Sequence, residues 1–308
     1  MIGLKSLRRA AVPAITALVV LIPASHAQQA FSSPEAAASA LADAVRGGTN
    51  RAILKVLGNA ADDIVSSGDE VADAEMRQRF TAAYDARHSI KAEGNRKATL
   101  IVGNDDFPFP IPLYNTSSGW EFDTKAGRLE ILYRRIGRNE LDAIQTSLAF
   151  VDAENEYAEK DRGFGVGVYA QRIVSSPGKK DGLFWRDDRD PSPLGELAAE
   201  ASSEGYKLEG RGAPYHGYYY RILKAQGSDA PGGALNYVVN GKMIGGFALI
   251  AYPAEYGNSG VMTFLVNHAG TVYQKDLGRW TDVIAKRMVA FDPDQTWKKV
   301  DVEALAKK

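Results

Sequence analysis

The chain has 308 residues, of which 37 are basic and 38 acidic, so its formal net charge is −1. A chain without a basic excess is not typical of proteins that bind nucleic acid, which neutralise phosphates with clustered lysine and arginine. Cysteine is absent, which excludes disulfides and thiolate metal ligands, and the hydrophobic fraction of 45% is ordinary for a globular protein.

The first 27 residues have the pattern of a cleaved export signal. Basic residues at positions 5, 8 and 9 precede an apolar run over residues 10–22, and small residues at positions 25 and 27 suit a signal peptidase. The alternative, an uncleaved anchor, needs about 20 apolar residues, which is more than this run offers. We therefore predict cleavage after Ala27 and a soluble mature protein in the periplasm or outside the cell.

Removing residues 1–27 leaves 34 basic and 38 acidic residues, a net charge of −4. The mature chain has no second apolar run long enough to span a membrane, so no transmembrane segment is predicted there. A length of about 280 residues favours two domains rather than one, and we place them at residues 28–127 and 128–308.

Residues 28–127 predict a small α+β domain. Ser33 is suited to cap a helix and Pro34 to occupy its first turn. Helices are expected within residues 31–57 and 73–88, and strands at residues 98–102, 112–114 and 120–123. The last strand lies in the sequence Gly-Trp-x-Phe-Asp.

This order of elements resembles the nuclear-transport-factor-2-like (cystatin-like) domains, in which helices pack into the concave face of a curved antiparallel sheet. On that resemblance, the concave face would form an apolar pocket lined by Phe80, Tyr84, Trp120 and Phe122. Carriage of a small ligand in this pocket is one alternative function.

Residues 128–308 predict a long helix followed by an antiparallel sheet. Leu141, Ile144, Leu148 and Val151 form an apolar stripe on a helix over residues 128–160. A loop is expected at residues 175–193. The whole mature chain is therefore assigned to the α+β class.

Turn residues predict two hairpins near the C-terminus. Asn240-Gly241 is a strong hairpin signal between strands at residues 237–239 and 247–252. Residues 261–266 and 271–274 form the second predicted hairpin. A closing helix is expected over residues 281–289.

Several long sequence strings carry a resemblance to a known family. They are RRIGRNELDAIQ, SPGKKDGLFW, PYHGYYYRIL, and GGFALIAYPAEYGNSGVMTFLVN followed by GTVYQKDLG. These strings resemble a bacterial exported family of unknown function, catalogued as domain of unknown function 2950, over essentially the whole mature chain. The resemblance implies export but no particular activity.

The C-terminal half is also similar to the soluble head of type IV pilin-like and type II secretion pseudopilin proteins, where a helix packs on an antiparallel meander. The positions that fit the spacing of that head are Pro253, Gly257, Gly260, Phe264, Asn267 and Gly270. The apolar N-terminal helix with its glutamate, by which pilins polymerise, is missing. The resemblance therefore implies a detached head rather than a fibre subunit.

No catalytic or metal-binding constellation is predicted. The sequence Gly257-Asn258-Ser259-Gly260 is similar to a serine-protease nucleophile loop, but Val261 stands where that loop has a further glycine, and a turn between two strands is favoured. His88, His216 and His268 are too scattered for a zinc motif. We predict no cofactor and no metal, and leave open whether the acidic loops at residues 187–190 and 292–294 bind calcium.

The densest candidate for recognition is the aromatic strand at residues 215–221. The predicted binding residues are Tyr215, His216, Tyr218, Tyr219 and Arg221. In a strand, Tyr218 faces one side and Tyr219 the other, so one set can join the core while the other presents an amphipathic surface. Burial of both faces is the structural alternative.

We predict a periplasmic binding or assembly module that acts through protein contacts, with an unknown envelope protein or a small ligand as its partner. No nucleic acid is expected. Two alternatives stay open: the small-ligand carrier described above, and a cell-envelope hydrolase whose catalytic residues are not identified. An enzyme is disfavoured because the distinctive residues are turn formers and aromatics rather than titratable clusters.

Overall fold

A computed structural model describes residues 28–187, 189–207 and 213–305. The predicted export signal and its cleavage site lie outside these residues and stay predictions. Within the described ranges, no helix is both long and apolar enough to cross a membrane.

The protein contains helices and antiparallel sheets, which confirms the α+β class. The helices are α1 (Pro34–Arg46), α2 (Asn50–Leu57), α3 (Asp62–Val65), α4 (Glu70–Ala86), α5 (Thr124–Glu159), α6 (Gly195–Glu204), α7 (Thr281–Arg287) and α8 (Val302–Leu305). The strands are β1 (His88–Glu93), β2 (Lys97–Val102), β3 (Phe107–Pro108), β4 (Leu113–Thr116), β5 (Gly119–Phe122), β6 (Tyr218–Leu223), β7 (Ala225–Gln226), β8 (Leu235–Asn236), β9 (Val238–Val239), β10 (Lys242–Met243), β11 (Ala248–Pro253), β12 (Met262–Asn267), β13 (Tyr273–Asp276) and β14 (Lys298–Lys299).

The first half of the chain packs helices against a sheet of order β1-β2-β4-β5, with β3 also paired to β2. Ser33 accepts a hydrogen bond from the Ala36 backbone N–H and so caps α1, while Pro34 fills the first turn. Ala37 and Leu41 are four residues apart, and this spacing places them on one helix face. That face lies in the same apolar core as Phe122 of β5.

Helix α5 is 36 residues long and takes part in two apolar cores. Asp123 caps its N-terminus through the Ala126 backbone N–H, so the helix begins at residue 124 rather than at the predicted residue 128. Leu132 belongs to the core of the first sheet, whereas Phe150 and Tyr157 belong to the core of the second. The domain boundary at residue 127 falls at the start of this helix and stays a prediction.

The second sheet is an antiparallel arrangement of order β14-β13-β12-β11-β6, and α5 packs against β11 and β12. Neighbouring tyrosines of β6 pack on different strands, because Tyr218 contacts Phe264 and Tyr219 contacts Tyr252. Arg221 donates hydrogen bonds to two backbone carbonyls at the end of α7, both at 2.7 Å. Strand β6 is therefore fixed by packing on both faces.

Three local predictions differ from the structure. Strand β1 was not expected, because its residues are mostly exposed and burial imposes no apolar alternation on them. Helix α6 was also missed. The Asn240-Gly241 turn is present, but it joins β9 to β10 through the pair Val239 and Lys242, whereas β11 pairs with β6 and β12. A two-residue turn determines only its immediate neighbours as partners.

Candidate functional site

The predicted binding residues lie at the end of the second sheet, where a tight turn leads into β6. Tyr215 and Tyr218 exchange two backbone hydrogen bonds, of 2.9 and 3.1 Å, across His216 and Gly217. The two turn residues have φ values of 48° and 76°, as a type I′ hairpin turn requires. A Cβ on Gly217 would lie 2.4 Å from Nδ2 of Asn139, so glycine is required there for space as well as for conformation.

Replacing Gly217 by alanine is expected to lower the free energy of unfolding by about 3 kcal/mol, measured by urea denaturation, because backbone strain adds to a clash with α5. Gly257→Ala is the matched control, since Gly257 has a φ of 77° and nothing within 4 Å of its Cβ position. The Gly257→Ala control is expected to lower the free energy of unfolding by only about 1 kcal/mol. Equal losses for the two variants would show that the close contact with Asn139 does not exist.

The five predicted residues separate into three environments. Tyr218 is completely buried and donates a hydrogen bond from its hydroxyl to the Met262 carbonyl at 2.9 Å, so it is a core residue. Tyr215, Tyr219 and Arg221 line a cleft. The ring of His216 stacks on that of Tyr215, with 4.1 Å between centroids, and belongs to a charged cluster.

His216 is held between two carboxylates from different helices. Its Nε2 lies 2.8 Å from Glu204 of α6, and its Nδ1 lies 3.3 Å from Asp142 of α5. Burial disfavours the charged ring, but the hydrogen bonds and charges of Asp142 and Glu204 outweigh burial and raise the pKa of His216 to about 9. The ring is therefore protonated at neutral pH and has no free nitrogen to act as a general base.

Asp69 joins the turn to the first half of the chain. Its Oδ1 accepts the N–H groups of Val71 and Ala72 and so caps α4. Its Oδ2 accepts the backbone N–H of Gly217 and the hydroxyl of Tyr206, both at 2.9 Å. Because this carboxylate is only 1% exposed, it is a buried junction between α4, the segment after α6, and the turn before β6.

The loop Gly257-Asn258-Ser259-Gly260 is a turn between β11 and β12 in which Gly257 is exposed and the other three residues are buried. Asn258 accepts a hydrogen bond from Arg135 and donates one to the Ser66 carbonyl at 2.9 Å. Ser259 is fully buried, and its hydroxyl accepts a hydrogen bond from the Glu255 N–H and donates one to the Glu255 carbonyl. This side chain supports the turn, and its geometry does not present the hydroxyl as a nucleophile.

A cleft of about 770 Å³ lies between β6 and helix α6. Its lining comes from α5, residues 171–177, α6 and the segment around Tyr206, and from four consecutive residues of β6, 219–222. Leu197 and Ala201 of α6 supply part of the apolar wall. Among the described residues that line the cleft, Arg172, Lys207 and Arg221 are basic and none is acidic.

In the described part of the chain, no group of three or more histidine or acidic residues is arranged to hold a metal ion. In the loop at residues 187–190, Asp187 and Asp190 bind Lys180, and Asp190 also binds Arg162. In the second acidic loop, Asp292 accepts the backbone N–H of Asp229 at 2.8 Å. These carboxylates already have partners within the protein.

The apolar pocket in the first half of the chain is small. Its volume is about 110 Å³, and of the four residues predicted to line it only Phe80 does so. Tyr84 and Phe122 are buried in the apolar cores. Ligand pockets of drug-sized molecules occupy roughly 300–1,000 Å³, so the cleft beside β6 has the volume of a binding site and this pocket does not.

Comparison with known families identifies the family to which the chain belongs. The family model described as Protein of unknown function (DUF2950) matches residues 28–300. The protein belongs to the DUF2950 family. Comparisons with curated proteins and with solved structures found no match.

In this DUF2950 protein, the cleft and the charged cluster both lie inside the matched region. The residues that sequence analysis missed are Asp69, Asp142, Glu204 and Tyr206. Of these four residues, only Asp69 could have been found from the local sequence, because an aspartate directly before a helical stretch is typical of a helix N-cap. The other three come into contact with the turn only through the tertiary fold.

Proposed function

We propose that this DUF2950 protein is exported, loses residues 1–27, and acts in the periplasm or outside the cell as a binding module through protein contacts. The cleft beside β6 is the contact surface. The basic, apolar and small-residue pattern of positions 5–27 supports export. The size and lining of the cleft support binding.

The observation that carries the proposal is the cleft itself. The cleft beside β6 has a volume of about 770 Å³, against about 760 Å³ for a cleft beside Trp185 and about 110 Å³ for the pocket in the first half of the chain. Its walls are apolar and aromatic, and Tyr215 and Tyr219 offer flat amphipathic rings of the kind enriched at protein interfaces. In the neighbouring titratable cluster, the ring of His216 is bound by the carboxylates of both Asp142 and Glu204.

A relation to the pilin-like head belongs to the same proposal. Helix α5 lies on an antiparallel sheet whose strands β11, β12 and β13 are consecutive neighbours. This is the arrangement that the sequence resemblance implies. A detached head of this kind is suited to assembly or recognition in the cell envelope.

The export step is tested by expressing the full chain in a Gram-negative bacterium and measuring the intact mass of the protein released from the periplasm. We expect a chain that begins at Gln28. Replacing Ala27 with arginine is expected to block processing, because the peptidase reads a small residue there. An unprocessed chain in the cytoplasmic fraction of the wild type would contradict the proposal.

The binding step is tested by a pull-down from envelope extract with the purified protein as bait. Leu197→Arg places a charge on the apolar wall of the cleft and is expected to reduce captured protein at least about ten-fold. Leu235→Arg is the matched control, since Leu235 is exposed and lies outside the cleft. If all three baits retain the same proteins in equal amounts, the cleft is not the contact surface. Circular dichroism checks that each bait is folded.

A further inference from the structure

Helix α7 and the 3-10 helix Gly278–Trp280 that leads into it turn their large apolar side chains to the solvent. Trp280 is 61% exposed, Val283 42% and Ile284 38%, and these positions share one helix face because they are three and four residues apart. A helix on the surface of a globular protein ordinarily shows a polar face to water and buries its apolar face. In this segment the polarity of the two faces is reversed.

The inner face of α7 consists of small side chains. Thr281 and Ala285 are completely buried, and α7 packs against β11 of the second sheet. Arg221 of β6 donates hydrogen bonds at 2.7 Å to the carbonyls of Ala285 and Met288, which fixes the C-terminal end of the helix. The attachment of α7 to the sheet therefore uses the face opposite to Val283.

The charge beside the exposed apolar face is positive. Over residues 276–289, three basic residues stand against two acidic ones. Asp282 and Lys286 bind each other at 2.7 Å, so the positive excess comes from Arg279 and Arg287, which are exposed at the two ends of the segment. Because charges separated by more than about 10 Å are largely screened at physiological salt, this local charge acts independently of the net negative charge of the whole chain.

The exposed apolar face projects from the surface. Val289, which follows α7, is 76% exposed. Of the described residues that line the three cavities above, none belongs to the segment 279–289. Residues that dominate protein–protein affinity lie in well-packed pockets near the centre of an interface, whereas a bilayer receives side chains that project from a surface. The face is therefore better suited to a lipid surface than to a protein.

We propose that the α7 apolar face, which consists of Trp280, Val283, Ile284 and Val289, docks the protein onto a bilayer that contains anionic phospholipid. This site is separate from the cleft and goes beyond the function proposed for it. The aliphatic side chains enter the boundary between headgroups and acyl chains, to a depth of about 5–10 Å. The indole ring lies at the level of the headgroups, and the two arginines bind phosphate oxygens through charge-assisted hydrogen bonds.

The test is co-sedimentation with vesicles of the protein recovered in the export experiment. The vesicles consist of phosphatidylcholine alone or of phosphatidylcholine mixed with an equal amount of phosphatidylglycerol. We expect binding to the anionic vesicles and a blue shift of tryptophan fluorescence. Trp185 and Trp297 are buried and Trp120 is half-buried, so the shift is expected to come from Trp280. Trp280→Phe is therefore expected to abolish the shift and to keep most of the binding.

Variants separate the α7 apolar face from other surfaces. Val283→Asp is expected to weaken binding to anionic vesicles at least about ten-fold, because a carboxylate would enter an apolar and negatively charged boundary. Val239→Asp is the matched control, since Val239 is 44% exposed against 42% for Val283, and it is expected to bind as wild type does. Replacing Arg279 and Arg287 by glutamine is expected to weaken binding about five-fold for each arginine. Leu197→Arg, in the cleft, is expected to bind vesicles as wild type does, so the two proposals are tested separately.

Other outcomes overturn the inference in distinguishable ways. Wild type that does not sediment with anionic vesicles would show that the face is not a membrane contact. Equal binding by wild type and Val283→Asp would exclude this face as the contact. Equal binding to neutral and anionic vesicles would exclude recognition of anionic headgroups by the arginines. If no vesicle is bound and Val283→Asp removes a protein from those captured in the pull-down, the face contacts a protein instead.

Discussion

Replacing Asp69 with alanine is expected to lower the free energy of unfolding by about 4 kcal/mol, measured by urea denaturation. The substitution removes the cap of α4, worth about 1 kcal/mol. It also removes the acceptor of the Gly217 N–H and the Tyr206 hydroxyl, two hydrogen bonds to a charged group worth about 1.5–3 kcal/mol each. Because the site is buried, water does not replace these bonds.

Ser33→Ala is the control for this experiment. Ser33 caps α1 by accepting a hydrogen bond from the Ala36 N–H, whereas the Asp69 carboxylate accepts four hydrogen bonds. Replacing Ser33 with alanine is expected to lower the free energy of unfolding by only about 1 kcal/mol. If Asp69→Ala costs no more than Ser33→Ala, Asp69 is a simple helix cap and does not hold the turn before β6 in place.

The second large effect is a dependence of stability on pH that comes from His216. The pKa of this ring is about 9 in the folded protein and near 6.5 in an unfolded chain. Since the folded value is the higher one, its stabilisation is complete below about pH 6.5 and is lost as the pH rises to about 9. The loss is expected to be about 3 kcal/mol between pH 6 and pH 9.5.

The His216→Asn variant isolates this effect from other titrations. Asparagine tolerates the positive φ of position 216 and is favoured in a type I′ turn before glycine, so the hairpin is retained. The difference in unfolding free energy between wild type and His216→Asn is expected to shrink by about 3 kcal/mol across that pH range. A difference that stays constant with pH would show that the ring is not charged between Asp142 and Glu204.

Sequence patterns correctly predicted those helices whose caps and apolar faces depend on residues close together in the chain. The cap at Ser33, the proline after it and the apolar spacing of α1 all agree, and the helix forms where they indicate. Helix α5 was predicted from its apolar stripe, with an error of four residues at its start. Element ends are the least certain part of such predictions because capping competes with neighbouring turns.

The errors have physical causes of their own. The residues of strand β1 are mostly exposed, so its sequence lacks the alternation of apolar and polar residues that indicates a strand. The strand pairing of Val238–Val239 was assigned to the nearest long strand, whereas the two-residue turn at Asn240 joins it to the short strand Lys242–Met243. Sequence patterns find turns more easily than they find which strands meet across a sheet.

The candidate site was predicted in part. The aromatic strand at residues 215–221 was singled out, and Tyr215, Tyr219 and Arg221 do line the cleft. The carboxylates that hold His216 come from positions 142 and 204, and Asp69 reaches the turn from the first half of the chain. Contacts across such sequence distances depend on the completed fold, and no local pattern in a single sequence encodes them.

We propose above that this DUF2950 protein makes its contacts through the cleft between β6 and α6. The most direct test is hydrogen–deuterium exchange of the protein with and without the partner captured in the pull-down. We expect slower exchange in the backbone amides of residues 218–223 and 195–204 when the partner is bound. Protection confined to other parts of the protein, with these two segments unchanged, would contradict the claim.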